Sequence, residues 1–375
     1  MRLSQNPVRH YLSILLVPLL TAAVVHAFTN PIRQINGSDP HMTYHNGQYY
    51  LTATSWNDVQ LTAASTIEGL KTATPVAIYS DRSNPRRARN WWAPELHFVQ
   101  DRWYIYFTTS IDDPDWAVML PTLTQWVLGG PSGANANPLV GETNAQWEFL
   151  GMIRPENYQG GMLDGTIYNI NGQDYFIFSS VNGTASPNGA SLWISKLLSP
   201  TTVSPATLIA YPQYPWENNS SAVLEGPQGI RSPVTGDTYL VYSANDCNTP
   251  DYKLGTLRLV AEDADPLLPE SWEKLPEPLL VTDVGRGIFG PGHNGFFKSP
   301  DGTQDWIAYH ANRNASGRCN AYRQTFVQQV LWDTEDGSPR LSPPVPPGEE
   351  IEEPSGTGGG NGGGGGCRAR RRGLW

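Results

Sequence analysis

The sequence predicts an all-β protein, a five-bladed β-propeller forming a single domain. Three observations predict it. An acidic or imidazole residue, a short strand, a turn and an aromatic strand recur in that order five times, at intervals of roughly 55 to 70 residues. That interval suits a four-stranded blade with its loops. The composition is that of a turn-rich β protein, with 37 Gly, 32 Pro, 13 Trp and 17 Tyr against only 16% charged residues. No stretch after the leader keeps a 3.6-residue apolar period, which counts against α/β alternatives.

The chain begins with a leader. Arg2 and Arg9 precede a short apolar run from Tyr11 to Val25, and Val25-His26-Ala27 is a small-x-small cleavage signal. The run is short for a membrane anchor. Residues 1–27 are therefore expected to be a signal peptide, with no membrane association after cleavage and a secreted, extracellular product. Asn-x-Ser/Thr sequons at Asn36, Asn182, Asn218, Asn219 and Asn314 suit a secreted glycoprotein. Asn36, three residues from Asp39, is expected to carry no sugar. Cys247 and Cys319 either pair in an oxidising compartment or remain two buried thiols.

The first repeat opens at Asn36-Gly37-Ser38-Asp39-Pro40 and runs through an Asn46-Gly47 turn into Tyr49-Tyr50-Leu51-Thr52. The second is Trp91-Trp92-Ala93-Pro94-Glu95, a turn at 100–102, then Trp103-Tyr104-Ile105-Tyr106-Phe107. Leu163-Asp164-Gly165, Asn171-Gly172 and Tyr175-Phe176-Ile177-Phe178 form the third. Leu224-Glu225-Gly226, a turn near Gly236 and Tyr239-Leu240-Val241-Tyr242 form the fourth. Gly292-His293-Asn294, Asp301-Gly302 and Trp306-Ile307-Ala308-Tyr309 form the fifth. Residues 58–63 and 191–195 alternate as outer strands do, and 65–70 suit a turn between outer strands. The apolar, irregular stretch 113–130 does not fit the outer strands of the second blade. It is either a loop over the pocket or a retained intron. The propeller is expected to span 28–345. Residues 346–375, with a Gly run at 358–366 and a basic end, are expected to be a disordered tail.

In a propeller the first strand of each blade lines the axis. Asp39, Glu95, Asp164, Glu225 and His293 should therefore converge on one pocket. Like charges brought together push at least one carboxyl pKa up, leaving one ionised base and one protonated acid. That division of labour is what glycoside hydrolysis needs. Trp56, Trp91, Trp92 and Tyr168 are candidate stacking surfaces for a sugar ring. A net charge of −10 argues against a nucleic-acid partner.

Ser38-Asp39-Pro40, Trp92-Ala93-Pro94-Glu95, Leu163-Asp164-Gly165, Leu224-Glu225-Gly226-Pro227 and Gly290-Pro291-Gly292-His293-Asn294, in that order, resemble glycoside hydrolase family 43. The resemblance covers about residues 29–335. The family consists of five-bladed propellers that cleave arabinose- and xylose-containing polysaccharides with inversion. The resemblance implies Asp39 as general base and Glu225 as general acid. It implies Asp164 as the acid that raises the Glu225 pKa and orients it. His293 resembles an axial histidine that supports a water-ligated ion, commonly calcium; the chemistry itself calls for no cofactor. Trp56, Trp92, Glu95 and Arg313 are the expected sugar-binding residues, and His310 is expected to be packed core. Residues 50–61 and 68–71 look most like the extracellular exo-α-1,5-L-arabinofuranosidases. The implied function is release of arabinofuranose from arabinan or arabinoxylan oligosaccharides by a monomer. A β-xylosidase or endo-arabinanase uses the same acids. A non-catalytic carbohydrate-binding propeller is the alternative of another class.

Overall fold

The computed structural model describes residues 26–139, 146–181 and 189–357. Five antiparallel sheets follow one another along the chain. Blade 1 comprises β2 (His41–His45), β3 (Gln48–Thr52), β4 (Val59–Ala64) and β5 (Val76–Tyr79), preceded by β1 (Ala27–Thr29). Blade 2 comprises β6 (Arg89–Val99), β7 (Arg102–Ser110), β8 (Thr124–Ser132) and β9 (Glu148–Met152). Blade 3 comprises β10 (Gly161–Ile170), β11 (Gln173–Val181), β12 (Ser191–Ser199), β13 (Thr202–Val203) and β14 (Thr207–Ala210). Blade 4 comprises β15 (Leu224–Arg231), β16 (Thr238–Ala244), β17 (Lys253–Leu259) and β18 (Trp272–Lys274). Blade 5 comprises β19 (Phe289–Lys298), β20 (Asp305–Asn312), β21 (Gln324–Trp332) and β22 (Pro339–Arg340).

Five apolar clusters fill the five blade-to-blade interfaces. Tyr106, Phe176 and Phe178 join blades 2 and 3, and Ile177, Leu240 and Leu257 join blades 3 and 4. Met42, Leu51, Phe297 and Trp306 join blade 5 back to blade 1 and close the ring. Each sheet is thus buried on both faces, which explains why its strands are apolar runs rather than strict alternations. The expected tight turns form: Asn46-Gly47 and Asn171-Gly172 both have positive φ at both positions, the geometry that connects two twisted strands in two residues.

Three expectations change. Residues 65–70 contain a single helical turn, α1 (Ile67–Leu70), because the Thr66 side chain caps the Gly69 N–H. The stretch 113–130 divides in two. Thr124–Ser132 is β8, an ordinary third strand, while Trp116–Met119 forms a one-turn helix, α2, in the loop before it. The domain also runs past 345. Glu350–Glu352 forms β23, pairing antiparallel with β1 through Phe28↔Ile351. Glu353 then accepts from the N–H groups of Ile67 and Glu68, both at 2.9 Å. Phe28 is buried and Ile351 packs on the same cluster, so these residues are held by apolar burial as well as by pairing. The Gly run and basic end lie outside the described residues, as does all of the leader before His26.

Candidate active site

One backbone device is repeated in every blade. Just before or within the innermost strand a residue at the equivalent position takes the left-handed conformation: Asp39 (φ 55°), Ala93 (43°), Asp164 (54°), Gly226 (57°) and His293 (45°). The strand register skips there in β6, β10, β15 and β19. Such a residue costs on the order of 1–3 kcal/mol unless its surroundings hold it, and here the neighbouring blade does. The Ala93 N–H donates to Thr54 Oγ1 at 2.8 Å, that of Asp164 to Thr108 Oγ1 at 3.3 Å, and that of His293 to Ser243 Oγ at 2.6 Å. The Asp39 N–H faces His310 Nδ1 at 3.2 Å. In blade 4 the Gly226 N–H donates to Asp164 Oδ2 at 3.1 Å. The bulge turns the side chain at or just before it toward the axis.

This places Asp39, Asp164, Glu225 and His293 on one cavity of about 540 Å³, within the size range of small-ligand sites. His293 Nδ1 lies 3.4 Å from Asp39 Oδ1 and 3.8 Å from Asp164 Oδ2. Asp39 is the most engaged acid. Its Oδ1 accepts from Arg323 Nη1 at 3.0 Å and its Oδ2 from Thr54 Oγ1 at 2.5 Å. Burial alone would raise its pKa; Arg323, His293 and His310 outweigh that and hold it well below the usual carboxylate range. Glu225 goes the other way. Burial, helped by the Asp39 charge, pushes it up to about 7, against a 2.7 Å hydrogen bond from the Tyr252 hydroxyl that favours its ionised form. Asp164 is raised too, by burial first and then by the charges of Glu225 and Asp39. The Tyr252 ring is pinned for this task. It stacks on His310, with centroids 5.5 Å apart, and a Cβ on Gly292 would overlap it.

Trp56 and Trp92 line the cavity as expected, edge to face with centroids 6.2 Å apart. Four expectations fail. Glu95 lies below the pocket, because Ala93 occupies the left-handed position in its blade and Glu95 is two residues further along the strand. Its carboxylate accepts from Gln228 Nε2 at 2.6 Å and pairs with His97 Nε2 at 2.8 Å. Arg313 is exposed at the end of β20 and folds back onto the carbonyls of Arg286 and Gly287. The arginine on the cavity is Arg323. Trp91 is core between blades 1 and 2. Tyr168 packs where Gly229 leaves room for its ring. His310 is fully buried as expected, yet its ring reaches Asp39.

Calcium takes six to eight oxygen ligands. The carboxylates that approach the His293 ring are those of Asp39 and Asp164, too few oxygens for such a shell, so a hard ion there would depend on water for much of it. Among the described residues, the group whose ligand atoms approach one another is His41, Glu95 and His97, within 4.8 Å. Its contacts are already made within the protein, by Gln228 and by the Leu96 N–H, which donates to His41 Nδ1 at 3.4 Å.

Arg323, Tyr252 and the capping side chains were missed by sequence reasoning. The caps carried a signal. Thr54, Thr108, Ser243 and His310 each close the aromatic run of the second strand, opposite the residue that precedes the left-handed one; Ser179 holds the same position in blade 3 but caps nothing, and Asp164 takes its place. Cys247 and Cys319 form a disulfide at the cavity wall. Asn218, Asn219 and Asn314 are exposed; Asn182 lies outside the described residues.

Residues 28–339 match the family model Glycosyl hydrolases family 43. The chain is 35% identical to an extracellular exo-alpha-(1->5)-L-arabinofuranosidase of Streptomyces avermitilis, over 86% of this chain and 64% of that protein. It is 33% identical to Alpha-L-arabinofuranosidase 43 of Humicola insolens, over 83% and 62% respectively. It therefore spans less than two thirds of the length of these curated relatives. The crystal structure of an alpha-L-arabinofuranosidase from Lactobacillus brevis superposes with a TM-score of 0.76 at 29% identity, covering 86% of this chain and 98% of that one.

Proposed function

The chain belongs to glycosyl hydrolases family 43, and from that membership and the chemistry of its cavity we propose that it releases L-arabinofuranose from α-1,5-linked arabinan or arabino-oligosaccharides with inversion. The observation that carries this is the opposite direction of two pKa values in one cavity: Asp39 well below its usual range and Glu225 raised to about 7. At neutral pH the first is an ionised base and the second retains a proton to give.

Asp39 takes a proton from a water molecule. The water oxygen bonds to the anomeric carbon as the glycosidic C–O bond breaks, and Glu225 passes its proton to the departing oxygen. Asp164 lies beside Glu225 and, by accepting the Gly226 N–H at its Oδ2, fixes the backbone that carries the acid. Arg323 and His310 keep Asp39 ionised and aimed. A calcium ion near His293, held through water, would add positive charge on the axis; the steps above do not use it.

Secretion is part of the same reading. It is supported by the leader-like N-terminus, by the Cys247–Cys319 disulfide and by a relative named extracellular. No helix among the described residues is long and apolar enough to cross a membrane.

Proton NMR of the anomeric region during action on linear α-1,5-arabino-oligosaccharides tests the proposal. β-Arabinofuranose should appear first and then mutarotate. Initial α-arabinofuranose would overturn the base role of Asp39. A ladder of oligomers would replace exo by endo action, and xylose release without arabinose release would make the enzyme a β-xylosidase. Binding with no release of sugar would support the non-catalytic propeller.

A further inference from the structure

Trp116 is 60% exposed, an unusual place for the largest apolar side chain. It opens α2, in the loop between β7 and β8, and this loop is anchored. Asp115 Oδ1 accepts from the Ala117 N–H at 2.9 Å, and Thr122 Oγ1 donates to the Met119 carbonyl at 2.7 Å. Met119 is 3% exposed, and Asn90 Nδ2 donates to its sulfur at 3.3 Å. The Trp116 ring is thus presented on a braced turn.

Its neighbour is Trp92, with ring centroids 6.3 Å apart and planes 21° from parallel. Trp92 in turn meets Trp56, and all three line the cavity that holds the acids. The wall therefore continues from Trp56 and Trp92, both partly buried, to a rim where Trp116 lies near-parallel to Trp92 and is largely exposed. Asp39 and Asp164 lie at the closed end, 6% and 3% exposed. A ring cleaved at those acids sits deep, and the rest of its chain must leave past the rim.

We propose that Trp116 forms an outer subsite, a stacking platform for the sugar on the leaving side of the bond that is cut. The ligand class is a pentose oligosaccharide, whose C–H faces suit an indole surface and whose hydroxyls suit polar side chains that line the same cavity, among them Asp246 and Asn248. This rests on the hydrolase reading above. It adds that affinity for long substrates over short ones resides in the loop between β7 and β8.

The test compares arabinotriose with methyl α-L-arabinofuranoside, which has no sugar beyond the bond. In turnover, Trp116→Ala should raise KM for arabinotriose about tenfold, the equivalent of roughly 1.4 kcal/mol, with kcat little changed. The methyl glycoside should keep its kcat/KM. Trp116→Phe should recover most of the loss and Trp116→Leu little of it, since the platform needs a ring. Binding is measured separately by calorimetry in an Asp39→Ala background, where Trp116→Ala should weaken arabinotriose about tenfold. Equal affinity with and without the indole, or equal loss for both glycosides, overturns the subsite. A wild-type protein that cleaves neither glycoside, yet shows the affinity difference, refutes the hydrolase reading and supports the subsite.

Discussion

The guanidinium of Arg323 reaches Oδ1 of Asp39 at 3.0 Å across 284 residues of sequence, and the same Nη1 sits 3.2 Å from Nε2 of His310. The three groups form a buried unit in which one positive charge holds one carboxylate ionised. Arg323 also opposes the rise of Glu225. Replacing it with Ala should therefore raise both pKa values. The acid limb of kcat/KM against pH, which the low Asp39 pKa places at the acidic extreme, should move up toward the ordinary carboxylate range. The alkaline limb should move up with it. Activity at the optimum should fall on the order of 10²-fold, because Asp39 is left buried and unaimed. An unmoved acid limb would refute the assignment of Asp39 as base.

The two acids should separate by leaving group. Asp39→Asn and Glu225→Gln should each lower kcat on arabino-oligosaccharides by roughly 10²–10⁴-fold while the thermal transition is kept. A leaving group that departs without a proton, such as a dinitrophenolate, should restore much of the rate to Glu225→Gln and none to Asp39→Asn. Rescue of both, or of neither, counts against the division of roles.

Tyr252 donates to Glu225 and so favours the ionised form of the acid. Tyr252→Phe keeps the ring on His310 and removes that donor. The Glu225 pKa should rise further, and the alkaline limb, near pH 7 in the wild type, should move to higher pH. Because the folded pKa of Glu225 is raised, its contribution to stability is fully present below the unfolded carboxyl range and is lost as pH rises through about 7. Glu225→Gln should flatten that part of the stability profile, measured by thermal unfolding between pH 5 and 8.

The C-terminal strap bears on stability rather than chemistry. Glu353→Ala removes the acceptor of two N–H groups at the start of α1 and should cost about 1 kcal/mol, or roughly 2–4 °C in Tm. Ending the chain after residue 345 also removes β23 and should cost more, with kcat unchanged. A Tm unaffected by the truncation would return residues 346–357 to the status of a tail.

The propeller, the blade boundaries and the identities of Asp39, Asp164, Glu225 and His293 were legible in the chain because they are local and repeated. A strand, a two-residue turn and an aromatic strand are specified within about 15 residues by alternation and by Asn-Gly chemistry. Five copies in order leave little else for the chain to become. Glu95 shows the limit of that logic. It matches the motif in type, but position on the axis follows the left-handed residue, and that residue is Ala93, two places earlier.

What lay beyond the sequence is where the connecting loops bring their side chains. Arg323 rather than Arg313 lies on the cavity and reaches Asp39, Tyr252 hydrogen-bonds Glu225, and Trp116 joins a wall begun by Trp56 and Trp92. Each depends on where a loop returns after its strand has packed, and no periodicity records that. The divergence of the Asp39 and Glu225 pKa values has the same origin. A carboxyl group in the chain is only a carboxyl group. Desolvation and the placement of one arginine, 284 residues from Asp39, make one of these a base and the other an acid.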